Sequence, residues 1–300
     1  MDKGGIEFQK LSSAGKQIRT GILGLLTAFT PEILRSEYSM RIISGIISAL
    51  RASSYELKLL MVRDEERTEL PQKIFGKKKN PLDALLVLTW RLHAACIEEV
   101  QKVNSSLPVV LINDYTPGLK GNIVYTDSTE GARIAMSYLL NKGYRRMGMV
   151  QGPVEASLDA RERERVFKET LNQEGIELDP KHFIRCDYFF EEDSYIRILE
   201  LIHSKHPLPR AFFCFNDDLA VGAIRALREE KIMVPQEVAV LGFDGTERGK
   251  HLMPPLTTVL QPLEQMGREM VRIAIGLLRG ELTAPAQIRF EPQLLIRQSA

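Results

Sequence analysis

The 300-residue chain has three cysteines, one tryptophan and 7% aromatic residues, and each shortage narrows what it can be. Cys96, Cys186 and Cys214 show no paired spacing and Cys214 lies inside an apolar run, so a reduced, cytoplasmic chain is expected rather than a disulfide scaffold. Net charge is scarce too. Forty basic and 39 acidic side chains leave +1, so no global field draws the chain to nucleic acid or membrane. The lysines at 77–79 sit in a Gly/Asn/Pro-bounded stretch and read as a solvated turn. Five histidines, at 93, 182, 203, 206 and 251, form no HxxxH or HExxH pattern, which argues against a metal site. No apolar run is long enough to span a membrane, and the N-terminus lacks a charged stretch, apolar core and small-residue cleavage site. GxGxxG after a strand, GxxxxGKS/T and GxSxG are all absent, and no His–carboxylate–nucleophile set stands out. Neither catalysis nor a cofactor is expected.

What is present is 44% hydrophobic content arranged as short apolar runs alternating with helical stripes. Residues 20–26, 57–62, 84–89 and 108–113 read as strands, and helical patterns fall at 38–50, 67–75 and 92–103. A helix at 131–141 follows. From 147 the alternation restarts, with strands at 147–151, 183–186, 211–215 and 238–243 and helices at 167–174, 195–203 and 219–230. Such alternation predicts an α/β fold of two halves, each a parallel sheet flanked by helices. The runs without polar alternation, such as AFFCF and VAVLGF, suit strands buried on both faces. Polar residues stand at their carboxyl ends: Asn216, Asp217 and Asp218 after one, Asp244 after another. Ligands of parallel α/β sheets sit at those ends, so Asn216, Asp217 and Asp244 are expected to converge on one crevice; capping acids in loops are the alternative.

The segments FCFNDDLAVGAIRAL, VAVLGFDGT and PPLTTVLQPLEQMG, in that order, resemble the effector-binding core of the LacI/GalR family of bacterial transcription regulators. LPVVLIND, VYTDSTEGARIAMSYLLNKGYRRMGMVQGP and DARERERVFKETLNQEGI extend the resemblance from about Arg19 to the C-terminus. It implies a two-lobed, periplasmic-binding-protein-like fold, with residues 20–146 and 262–288 in the first lobe and 147–261 and 289–300 in the second. Residues 1–19 then read as a linker or expression remnant, with no room for the helix-turn-helix that family members carry ahead of the core. The partners implied are a small polar effector, a sugar foremost, a second copy of the chain, and operator DNA through that missing domain. A solute-binding protein of a sugar transporter shares the architecture and is the alternative function.

Site residues follow from the same resemblance. Asp244 corresponds to the family acid that accepts hydrogen bonds from ligand hydroxyls, with capping of the turn through Gly245 and Thr246 as the alternative. Arg163 falls where family members hold a polar ligand group; by charge alone it could equally belong to an exposed face with Arg161, Glu162, Glu164 and Arg165. Asn216 offers a donor and an acceptor at its strand mouth, while Asp217 is expected to cap. Tyr38 and Tyr188 align with aromatics that stack on a ligand, although either could be core. Thr27, Phe29 and Ser36 lie in the first strand-to-helix loop, which departs from the Asn-Pro-Phe pattern of the family. Asp127 is divided between ligand contact and helix capping. Dimer contacts are expected from the stripe Met40-Ile43-Ile47 and the helix at 219–230.

Overall fold

A computed structural model describes residues 19–28, 31–63, 69–76, 81–88, 100–113, 121–154 and 157–300. Two six-stranded sheets divide the chain. The first contains β1 (Ile22–Ala28), β2 (Glu56–Val62), β3 (Ala84–Leu88), β4 (Val109–Ile112), β5 (Asn122–Thr126) and β11 (Gln287–Phe290), in the order β11-β5-β4-β3-β1-β2 and parallel throughout. The second contains β6 (Met147–Gln151), β7 (Phe183–Arg185), β8 (Ala211–Cys214), β9 (Ala239–Asp244), β10 (Thr257–Leu260) and β12 (Gln293–Leu295), in the order β12-β10-β9-β8-β6-β7. Only the β10–β12 pair is antiparallel. β5 escapes the apolar-run criterion because it is a short NIVYT segment beginning with an amide side chain.

Each sheet carries helices on both faces. Helices α1 (Glu37–Leu50) and α8 (Leu263–Arg279) bury Ile42, Ile46, Met266 and Met270 against one face of the first sheet, and α2 (Leu70–Phe75) closes the other with Leu70, Ile74 and Phe75. The second sheet is covered by α3 (Ser128–Asn141) and α4 (Leu158–Gln173) on one side and by α5 (Glu191–His203) and α6 (Asp217–Glu229) on the other. A short helix, α7 (Glu247–Lys250), follows β9.

Helices α1 and α8 pack against each other through two glycines. A Cβ on Gly45 would lie 2.0 Å from the carbonyl oxygen of Glu264, and one on Gly267 would lie 2.1 Å from that of Ile42. Backbone cannot retreat as a side chain can. Gly45→Ala is therefore expected to cost about 2 kcal/mol by forcing the helices apart, read as a lowered urea midpoint.

Packing changes three of the expected features. The first passage between lobes falls at Asp127 instead of 146, because α3 buries Ala132, Ala135, Met136 and Leu139 in the core of the second sheet with Met147, Phe213 and Val259. The other passages lie at Gln261–Pro262 and at residues 291–292, so residues 289 and 290 stay in the first sheet as the end of β11. Helix 219–230 does not offer an open face. Nine residues of α6 from Asp217 to Leu227 are buried, and Gly222 rests on the carbonyl of Glu191 and the hydroxyl of Ser194 in α5. Met40 and Ile47 of α1 remain exposed, at 42% and 47%.

The first and third passages are tied together. Asp127 donates its backbone N–H to Phe290 (3.2 Å) and its carboxylate pairs with Arg289 at 3.0 Å.

Candidate functional site

In both sheets the strand order reverses, between β1 and β3 and between β6 and β8, and the carboxyl ends of these strands mark where ligands settle. The residues that converge there come from five elements and from both lobes.

Helix α4 delivers Arg163. Its neighbours Arg161 and Arg165 are exposed, and Arg165 pairs with Glu162 and Glu169, each at 2.7 Å, as the charge pattern suggests. Arg163 lies instead on the buried stripe with Ala160, Phe167 and Leu171, and is 1% exposed. Nε and Nη2 donate to Ser128 Oγ (3.2 and 3.1 Å), and Nη1 donates to the carbonyl of Phe215 (2.6 Å). Cζ sits 3.4 Å from the ring centroid of Phe243 and 4.4 Å from that of Phe215, so the cation is held between two aromatic faces. Gly131 makes room for this, since a Cβ there would meet Phe243 at 2.6 Å. Burial pushes the guanidinium below its ordinary pKa, and the nearby charges of Asp159 and Asp244 oppose that shift.

Asp244 ends β9 with φ 124°, a conformation that side-chain-bearing residues rarely adopt. Strained positions of this kind collect at binding sites. One carboxylate oxygen accepts from Gln261 Nε2 at 2.8 Å, and the other has no donor among the described residues. Burial and the charge of Asp217 push its pKa well up, with Arg163 and the Gln261 bond pulling the other way.

Gln261 begins a chain that crosses to the first lobe. Its Oε1 accepts from Asn113 Nδ2 (3.1 Å), which also donates to the Tyr38 hydroxyl (2.8 Å), while Asn113 Oδ1 accepts from the backbone of Thr126 (2.9 Å). Tyr38 in turn feels Asp159, Asp244 and Arg163 from the opposite lobe; burial and the two acids raise its hydroxyl pKa. Tyr38, Asn113, Gln261, Asp244, Arg163 and Asp159 thus lie together where the two lobes meet. Thr27, at the end of β1, is buried and its hydroxyl has no partner among the described residues.

The other expected site residues sort differently. Asn216 caps α6: Oδ1 accepts from Leu219 N at 2.9 Å and Nδ2 donates to the Phe189 carbonyl at 3.1 Å. Asp217, expected to cap, is fully buried and fastens two other segments, accepting from Thr246 N (2.7 Å), Thr246 Oγ1 (2.9 Å) and Thr258 Oγ1 (2.6 Å). Asp127 caps α3 through Glu130 N at 2.9 Å. Tyr188 is 52% exposed and stacks on Phe190, and its neighbour Phe189 supplies the buried ring, 4.7 Å from Phe215. Phe29 lies outside the described residues.

The lobes also meet at the rim. Glu37 at the start of α1 accepts from the backbone of Glu247 (2.6 Å) and Arg248 (3.0 Å), and Arg41 donates to the carbonyl of Gly245 at 3.2 Å.

Residues 136–300 match the family described as periplasmic binding protein-like domain. The HTH-type transcriptional repressor CytR of Escherichia coli K12 is 28% identical over 95% of this chain and 82% of its own length. The ribose operon repressor of the same strain is 28% identical over 97% of this chain and 85% of its own. Among solved structures, the transcriptional regulator CelR–cellobiose complex superimposes with a TM-score of 0.81 at 27% identity, covering 94% of this chain and 85% of that one. These relatives are regulators and not enzymes, and they do not favour the transport reading. The chain belongs to the periplasmic binding protein-like domain family, as the effector-binding domain of a LacI-type transcription regulator.

Proposed function

We propose that the cleft binds a neutral, hydroxylated effector, a sugar, and that binding holds the two lobes closed in a cytoplasmic dimeric regulator. The observation that carries this reading is the convergence of Asp244, Arg163 and the Asn113–Gln261 amides from both lobes. A carboxyl group with one oxygen open exchanges a hydrogen bond with a hydroxyl, accepting when ionised and also donating when protonated, and the amides offer both donors and acceptors. Three of the five Arg163 N–H groups already serve Ser128 and Phe215, and Nη2 also stands 3.7 Å from the Asp159 carboxylate, so a ligand oxygen shares the remaining two with that acid. Phosphate recognition would ask for more spare cations. Two relatives point the same way: one is a ribose operon repressor and one was solved with cellobiose.

Closure shifts the population only as far as the effector prefers the closed state, so Tyr38 and Asn113 on one lobe and Asp244 and Arg163 on the other must contact it together. Exposed Met40 and Ile47 on α1, with Leu59 on the edge strand β2, are the surface we assign to the second copy. Operator contact we assign to a separate helix-turn-helix segment.

A thermal-shift screen of sugars, sugar phosphates and nucleosides tests the reading. An effector at a hundredfold excess over its Kd stabilises the folded state by about 2.7 kcal/mol, a rise of a few degrees in Tm. A neutral sugar is expected to give this rise with the wild-type chain and none with Asp244→Ala. A shift from phosphorylated compounds alone, or an equal shift in the variant, would sink the assignment.

A further inference from the structure

The histidines that show no metal spacing in sequence are brought together by folding at the end of the second lobe away from the cleft. A one-turn 3-10 helix, Pro180–His182, precedes β7, and the loop after α5 precedes β8; both lie at the amino ends of their strands. Asp179, His182 and His206 there each offer a ligand atom within 4.8 Å of the others. We propose that these three side chains, with the carbonyl of Pro207, form a structural site for a divalent cation of the zinc class.

The donor atoms support this. Asp179 Oδ2 lies 2.5 Å from His206 Nε2 and 3.9 Å from His182 Nε2, so both imidazoles turn the same nitrogen towards one carboxylate oxygen. The other oxygen of Asp179 accepts from Lys181 N at 2.9 Å, which fixes the carboxylate as an outer partner would. His182 is 2% exposed, its Nε2 stands 2.7 Å from the Pro207 carbonyl, and its Nδ1 is buried without a hydrogen-bond partner among the described residues. Without a cation, Nε2 must carry the proton to bond that carbonyl, and Nδ1 keeps a buried lone pair that nothing satisfies. With a cation, Nε2 and the carbonyl become ligands and the proton moves to Nδ1, which still has no partner among the described residues; it is the converging imidazoles, carboxylate and carbonyl that point to the ion. Ligand atoms around a tetrahedral zinc are about 3.3–3.5 Å apart, so the Asp179–His206 contact opens by about 0.9 Å, the His182–Pro207 contact by about 0.7 Å, and the 3.9 Å between Asp179 and His182 closes in. Nitrogen donors select zinc-class ions over magnesium or calcium.

Calorimetric titration of the chelator-treated chain with zinc ions tests the proposal. One ion per chain is expected, with affinity falling at least tenfold in His206→Ala and in Asp179→Asn and unchanged in His203→Ala, whose ring pairs with Glu230 elsewhere on the lobe. Both test residues are partly exposed, and circular dichroism reports whether each variant folds. Zinc should also raise the wild-type Tm where magnesium does not. No saturable zinc binding, equal binding by both variants, or stabilisation by magnesium alone would overturn the site.

Discussion

Replacing Arg163 with methionine is expected to lower the unfolding free energy by about 3 kcal/mol and to abolish effector binding. Methionine matches the stem of arginine and fills much of the same volume, so the loss is electrostatic more than steric. Ser128 Oγ and the Phe215 carbonyl would lose their donors in a region closed to water. Asp244 and Asp159 would lose a cation that favours their charged forms, and Asp244, already pushed well up by burial and by Asp217, would move further towards the protonated form. The further Asp244 moves that way, the less it accepts from a ligand hydroxyl as a charged group. Urea denaturation reads the first effect and calorimetry with the effector the second. A variant as stable as the wild type would mean that Arg163 is a replaceable core filler, and the assignment of the cleft would have to change with it.

Much of this arrangement was legible before folding, for a physical reason. Strands buried on both faces cannot alternate polar and apolar residues, so AFFCF and VAVLGF announced a doubly covered parallel sheet and, by their ends, where Asn216 and Asp244 emerge. Arg163 was legible by resemblance alone; the charge pattern does not separate it from Arg161 and Arg165, and the structure shows that it stands at i+3 from Ala160 and four before Phe167, on the inward stripe of α4. Asn113 and Gln261 carry the same strand-end signal. Their roles become visible only when β4 and β10, far apart in sequence, face each other across the passage between lobes.

Where the reading failed, local backbone geometry had decided. Asn216 and Asp217 are both good capping residues; the side chain that caps is the one standing just before the first helical turn, and Gly242 leaves Asp217 the room to reach β10 instead. Tyr188 and Phe189 are adjacent rings of similar size. Asp193 gathers the amides of Asp187 and Tyr188 at 2.5 and 3.0 Å, and that turn points Phe189 inward. Periodicity does not resolve which of two neighbours a turn selects.

Asp217→Ala is expected to cost about 3 kcal/mol at pH 5 and less at pH 8. The substitution removes three acceptor bonds and strands the Thr246 amide in a buried position. The pH term follows from burial, which pushes the Asp217 carboxyl up to about 6. A carboxyl raised above its unfolded value of about 3.9 binds its proton more tightly in the folded state, so its favourable contribution is full below pH 4 and is lost as pH rises through 6. Asp218, raised to about 7 by burial, and Asp244, raised by burial and by Asp217, act in the same sense. Asp179, Glu162 and Glu164 are shifted down; their contribution is complete above pH 5 and leaves the slope from 5 to 8 alone. Wild-type stability should therefore fall from pH 5 to pH 8, and the fall should be shallower in the variant by about 1–3 kcal/mol, because one titrating acid is gone and Asp244 loses its repelling neighbour. Urea midpoints at pH 5, 6.5 and 8 measure both slopes. Parallel slopes would show that Asp217 titrates as an ordinary carboxylate, and the raised affinity of Asp244 for its proton would then have to come from burial alone.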